Sequence, residues 1–110
     1  MVWFIFIIMV IFLTWPKIRQ KYRIWLWRRR LSIQLHQRIF DGIFSSVNGF
    51  IISKQARTTH DALEYIYGEI LFEPFVALLS LCQPHKDTVF YDLGCGIGKA
   101  VLATAMVFDV

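Results

Sequence analysis

Residues 88–100 read Thr-Val-Phe-Tyr-Asp-Leu-Gly-Cys-Gly-Ile-Gly-Lys-Ala, and that order narrows what the chain can fold into. Thr88 to Leu93 is β-branched and aromatic and apolar on both faces, which predicts a strand of the kind found inside parallel sheets. Gly94, Gly96 and Gly98 then remove side chains at alternate positions, so the backbone can bend sharply. Ala100 to Phe108 is amphipathic and predicts a helix. A strand, a glycine loop and a helix in that order are half of a parallel βαβ unit, so the expected class is α/β.

Three chemistries compete for the glycine loop. A phosphate-binding P-loop requires G-x-x-x-x-G-K-[ST]. Leu93 stands where its first glycine belongs and Ala100 where its hydroxyl residue belongs, so this reading fails. The dinucleotide fingerprint G-x-G-x-x-G/A fits Gly94 and Gly96, but Lys99 takes the third place. It also leaves Asp92 without a purpose. A third reading uses that acid. Asp92 falls near the carboxyl end of the expected strand, where α/β folds bind ligands. A carboxylate there can accept charge-assisted hydrogen bonds from an ammonium group. The amino end of the following helix can face a carboxylate. S-adenosylmethionine carries both groups on one amino acid and has no phosphate. The alternative without chemistry is a glycine-rich turn beside an idle acid.

The stretch Asp92-Leu-Gly94-Cys-Gly96-Ile-Gly98 resembles motif I of class I S-adenosylmethionine-dependent methyltransferases. A second match narrows the resemblance. Tyr67-Gly68-Glu69 precedes Asp92 at the spacing seen in the disruptor-of-telomeric-silencing-like, non-SET lysine methyltransferases. The likeness spans about residues 60–110. It implies a Rossmann-like methyltransferase fold with S-adenosylmethionine as cofactor. Tyr67, Gly68 and Glu69 would line its methionine end. Asp92, Gly94 and Gly96 would hold the amino acid, with Cys95 and Gly98 in the same loop and Lys99 as a polar contact. The implied methyl acceptor is a protein lysine, although Ile70 stands where other members place a hydroxyl residue. No catalytic residue can be named. The acid that such enzymes place on the ribose would fall after Val110, and Asp109 comes too early. The expectation is therefore a fold truncated after its first strand and helix, with little activity alone.

The other end of the chain obeys different rules. Val2 to Thr14 is unbroken apolar sequence, closed by Trp15 and Pro16. Fifteen helical residues cover about 22 Å, short of a hydrocarbon core of about 30 Å. Crossing then needs a thinned bilayer or a helix that continues past Pro16 with Lys17 and Arg19 snorkelling. No basic stretch precedes the run and no small residues close it, so a cleaved signal is not expected. Residues 1–40 hold eight Lys/Arg and no acid, whereas residues 41–110 hold four Lys/Arg and eight acids. The bases come after the apolar run, which places the rest of the chain in the cytoplasm. Residues 17–40 interleave bases with Tyr22, Trp25, Trp27 and Leu31 and are expected as a basic amphipathic helix along the anionic inner leaflet. Nucleic acid is the less favoured partner for the same charges.

The expected organisation is an anchor helix at 1–16, a juxtamembrane helix at 17–40, a linker at 41–58 and a methyltransferase segment at 59–110. Asn48-Gly49 is a turn signal in the linker, flanked by apolar residues that suit a short helix or a hairpin. Thr59 or Asp61 can cap a helix running to about Tyr67. Glu73-Pro74 opens another, with Phe75, Val76, Leu78, Leu79 and Cys82 on one face, before a turn at Gln83–Asp87. Cys82-x-x-His85 is half of a metal site with no second half, so no metal is expected. Two other functions remain open: a small non-enzymatic membrane protein binding lipid or a partner, and a dinucleotide-dependent oxidoreductase.

Overall fold

The computed structural model describes residues 2–56 and 68–110. The helix expected from Thr59 or Asp61 to Tyr67 lies outside them. Every regular element among the described residues is a helix: α1 Val2–Arg30, α2 Ile33–Phe44, α3 Gly49–Ala56, α4 Phe72–Ser80 and α5 Lys99–Val107. The chain divides into two compact units, 1–32 and 33–110.

The first unit is α1. It does not stop at Trp15 but continues through Pro16 to Arg30, about 44 Å at 1.5 Å per residue. Its section Trp3–Arg30 is long and apolar enough to cross a membrane, and its most apolar window is wholly unburied. The one hydroxyl in the apolar run, Thr14, donates to the Val10 carbonyl at 2.8 Å, so it carries no unmet polar group into an apolar surrounding. Further along, Tyr22 stacks on Trp25 with centroids 5.9 Å apart, and the Arg29 guanidinium lies 5.3 Å from the Trp25 ring. The helix ends where Ser32 turns into the left-handed region at φ 48°.

The second unit is built on α2, α4 and α5, which pack on one another. Its core is Ile33 and Phe40 from α2, Phe72, Phe75 and Val76 from α4, and Ala103 from α5. The spacings explain the helices: positions 33, 40 and 44 share one face of α2, and 72, 75 and 76 share one face of α4. The Phe40 and Phe72 rings meet at 5.0 Å. The buried Thr104 hydroxyl donates to the Ala100 carbonyl at 2.8 Å, which satisfies it within α5. Asn48 caps α3, since its Oδ1 accepts from the Ile51 N–H at 3.1 Å. The turn signal in the linker is thus a helix start rather than a hairpin. On α4, Phe75 and Val76 face inward, but Leu78 and Cys82 are exposed. Gln83, at φ 51°, terminates that end of the chain's helix before Pro84. The Thr88 N–H then donates to the His85 carbonyl at 2.8 Å and closes the turn.

The expected α/β, Rossmann-like class is not observed. No strand or sheet occurs among the described residues, and Thr88–Leu93 forms no ladder. A strand is defined by hydrogen bonds to a neighbour, and no described segment supplies one. The stretch nonetheless keeps an alternation of two. Thr88, Phe90 and Asp92 are half-buried, while Val89, Tyr91 and Leu93 are exposed, Leu93 by 96%. What the pattern dictated was side-chain direction, and pairing needs a partner that local pattern cannot provide.

Among the described residues the core rests on few side chains, so each counts. Phe72→Ala should cost about 3–5 kcal/mol and speed amide exchange at Val76 and Ala103 by about a hundredfold or more. Leu78→Ala, on the exposed side of the same helix, should change it by no more than about 0.5 kcal/mol. Equal effects would contradict this assignment of faces.

Candidate functional site

The glycine loop enters α5 directly. Gly94, Gly96 and Gly98 have φ of 95°, 55° and 81°, values that cost an L side chain about 1–2 kcal/mol. Gly98 is the N-cap of α5. Its N–H donates to the Cys95 carbonyl at 2.8 Å, and its carbonyl accepts from Leu102 at 2.9 Å. The glycines therefore serve the bend itself. A Cβ built on Gly94 or Gly98 would meet nothing within 4 Å, so space beside the loop stays open. The first amides of α5 lack intrahelical partners and form a positive end, as in any helix start.

Glu69 comes to this loop from outside it. Its carboxylate pairs with the Lys99 ammonium, thirty residues on. The two side chains are only 21% and 19% exposed, so the pair is largely shielded, and removing either partner would leave a shielded charge without its counter-ion. The Lys99 Nζ also lies 5.4 Å from the Phe44 ring of α2, within cation–π range.

A cavity of about 260 Å³ opens here, lined by Gly68, Glu69, Ile70, Phe75, Phe90, Asp92, Gly94, Cys95, Lys99 and Ala100. Of the residues singled out from sequence, it gathers Gly68, Glu69, Asp92, Gly94, Cys95 and Lys99. Gly96 and Gly98 shape the loop but do not line it, and Tyr67 lies outside the described residues. Asp92 is half-buried, and among the described residues no hydrogen bond or ion pair engages its carboxylate. Cys95 is exposed, with Sγ 3.9 Å from the Gly96 carbonyl. Lys99, expected as a polar contact, is paired here with Glu69. The volume is just under the range of about 300–1,000 Å³ for whole small-molecule sites, and suits part of a ligand. Glu69 and Lys99 also border a second cavity, of about 320 Å³, with Gln37, Phe40, Asp41 and Phe72.

Sequence reading missed the apolar wall. Phe75 and Phe90 meet edge to face at 6.2 Å. Phe90 was open to inference, since it stands two residues before Asp92 and a two-residue period puts both on one side. Phe75 carries no such signal, because it reaches the cavity from α4. Cys82 and His85 are both exposed, and among the described residues no group of three or more His, Cys, Asp or Glu could hold a metal.

The Glu69–Lys99 pair gives a direct test. Lys99→Met and Glu69→Gln should each lower the stability of α5, by about 1–3 kcal/mol, since each leaves a shielded charge alone. The double variant should lose less than the sum, by about 0.5–3 kcal/mol. Additive losses, read from amide exchange in α5, would mean the two groups do not interact.

Comparison with known proteins adds one finding. The family model described as histone methylation protein DOT1 matches residues 51–110, more than half of the chain. No curated protein matches, and no solved structure does. The matched residues hold most of α3, all of α4, the glycine loop and α5, together with Glu69, Asp92 and Lys99. This chain belongs to the DOT1 histone methylation family.

Proposed function

We propose that the chain binds the amino-acid end of S-adenosylmethionine in the cavity between Glu69, Asp92 and the glycine loop, as part of a protein methyltransferase held at a membrane by α1. The observation that carries this reading is that one cavity collects Gly68, Glu69, Asp92, Gly94, Cys95 and Lys99. The family match supports methyl transfer and, with it, this cofactor in general.

The donor set fits the group. The Asp92 carboxylate suits an ammonium, and the free amides at the start of α5 suit a carboxylate. Because Lys99 neutralises Glu69, Asp92 is, among the described residues that line the cavity, the acid left to meet a cation. Phe75 and Phe90 offer an apolar wall to the methylene stretch. The open space beside Gly94 and Gly98 admits a ligand close to the backbone. When bound, S-adenosylmethionine supplies an electrophilic methyl group on a sulfonium. What the chain's own residues contribute is grip and orientation, which account for much of the barrier reduction in such displacements. The acceptor implied by the family is a protein lysine.

Membrane attachment rests on α1. Its apolar run, its continuation past Pro16 and the bases from Lys17 to Arg30 suit a helix that enters the bilayer with its cationic end at the cytoplasmic face.

Isothermal calorimetry on the chain tests the cofactor. S-adenosylmethionine should bind, and Asp92→Asn should weaken it about 10- to 100-fold, the worth of a charge-assisted hydrogen bond. Methylthioadenosine, which lacks the amino acid, should be indifferent to that substitution. NAD binding, or an unchanged S-adenosylmethionine affinity in Asp92→Asn, would defeat the reading.

A further inference from the structure

α2 has two apolar faces, and among the described residues only one is packed. Ile33 and Phe40 point into the core of the second unit. Leu35, Ile39 and Ile43 recur every four residues and so form a separate stripe. They are 58%, 46% and 50% exposed. Ile51 and Ile52 of α3 are exposed as well, and among the described residues α3 packs against none of the other helices. An exposed apolar stripe of this kind, on a helix whose other face is already packed, marks a surface that something covers.

We propose that this stripe of α2 lies on an anionic bilayer surface. Charge selects that occupant. Residues 1–56 carry nine Lys/Arg and a single acid, Asp41, whereas residues 57–110 carry three Lys/Arg and seven acids. Arg38 neighbours the stripe. Asp41, two residues past Ile39, projects from roughly the opposite side of a helix with 3.6 residues per turn. A basic-flanked apolar stripe with its acid turned away is the pattern of a helix lying in a headgroup layer. A second copy of this chain would bring like charge against like charge. Reach agrees as well. Only Leu31 and Ser32 separate α1 from α2 in sequence, so a membrane holding the end of α1 is within a short chain length of α2. The inference deepens the membrane reading of α1 and is separable from it.

The test uses the full chain in phosphatidylcholine–phosphatidylserine vesicles, with Cys82→Ser and Cys95→Ser to clear native thiols. A bimane is attached through Ile39→Cys, Ile43→Cys, Gln34→Cys or, as a reporter on α1, Ile8→Cys. Brominated lipid should quench the label strongly at positions 39 and 43 and little at position 34. Vesicles of phosphatidylcholine alone should give weaker quenching at 39 and 43, and equal quenching would overturn the anionic requirement. Quenching at position 8 but not at 39 or 43 would overturn the proposal and leave the α1 reading standing. Quenching at 39 and 43 without position 8 would uphold it and remove α1 from the bilayer. A label at 39 shielded from both brominated lipid and aqueous iodide would show a protein partner or a second copy, and would also overturn it.

Discussion

The ion pair between Glu69 and Lys99 joins stretches that sequence keeps thirty residues apart. It holds residues 68–70 against the first residue of α5, and the Phe44 ring of α2 covers its cationic end. Remove it and the cavity loses a wall, since both residues line it. The pair also decides the charge inside. A lysine at the mouth of a glycine loop would ordinarily present a free cation, but here that cation is answered. The carboxylate of Asp92 is left as the group facing open space, and the character of the cavity is set by that.

Local chemistry was readable and long-range partnership was not. The bend at Gly94–Gly98 comes from three residues without side chains, and α5 begins directly after it. The face of α4 that carries Phe75 and Val76 comes from spacing. The strand expected at Thr88–Leu93 is absent because a ladder requires a second segment, and nothing in six consecutive residues supplies one. Their alternation survives, which is the part of strand character that belongs to the segment itself. In the same way Glu69 and Lys99 could each be singled out by motif, but their pairing could not. Phe75 and Phe44 reach the site from other helices and leave no mark in the loop's own sequence. The continuation of α1 beyond Pro16 was one of two options, and the bases after it are compatible with either.

The chain separates two kinds of information along its length. The family match begins at residue 51. Nine of the twelve Lys/Arg, and α1 with its apolar run, lie before residue 57. Acids dominate residues 57–110, among them Glu69 and Asp92, which line the cavity. The front is basic and apolar, and the back is acidic and carries the cavity and the family match. α2 stands at the junction, with one face in the core and one exposed.

Backbone amide spectra of the labelled chain, recorded as S-adenosylmethionine is added, test the assignment of the cavity most directly. The account predicts shifts confined to Gly68–Ile70 and Gly94–Ala100, with the amides of Gln37 and Asp41 beside the second cavity unmoved. Shifts at Gln37 and Asp41 while the glycine loop stays silent would place the ligand elsewhere and contradict it.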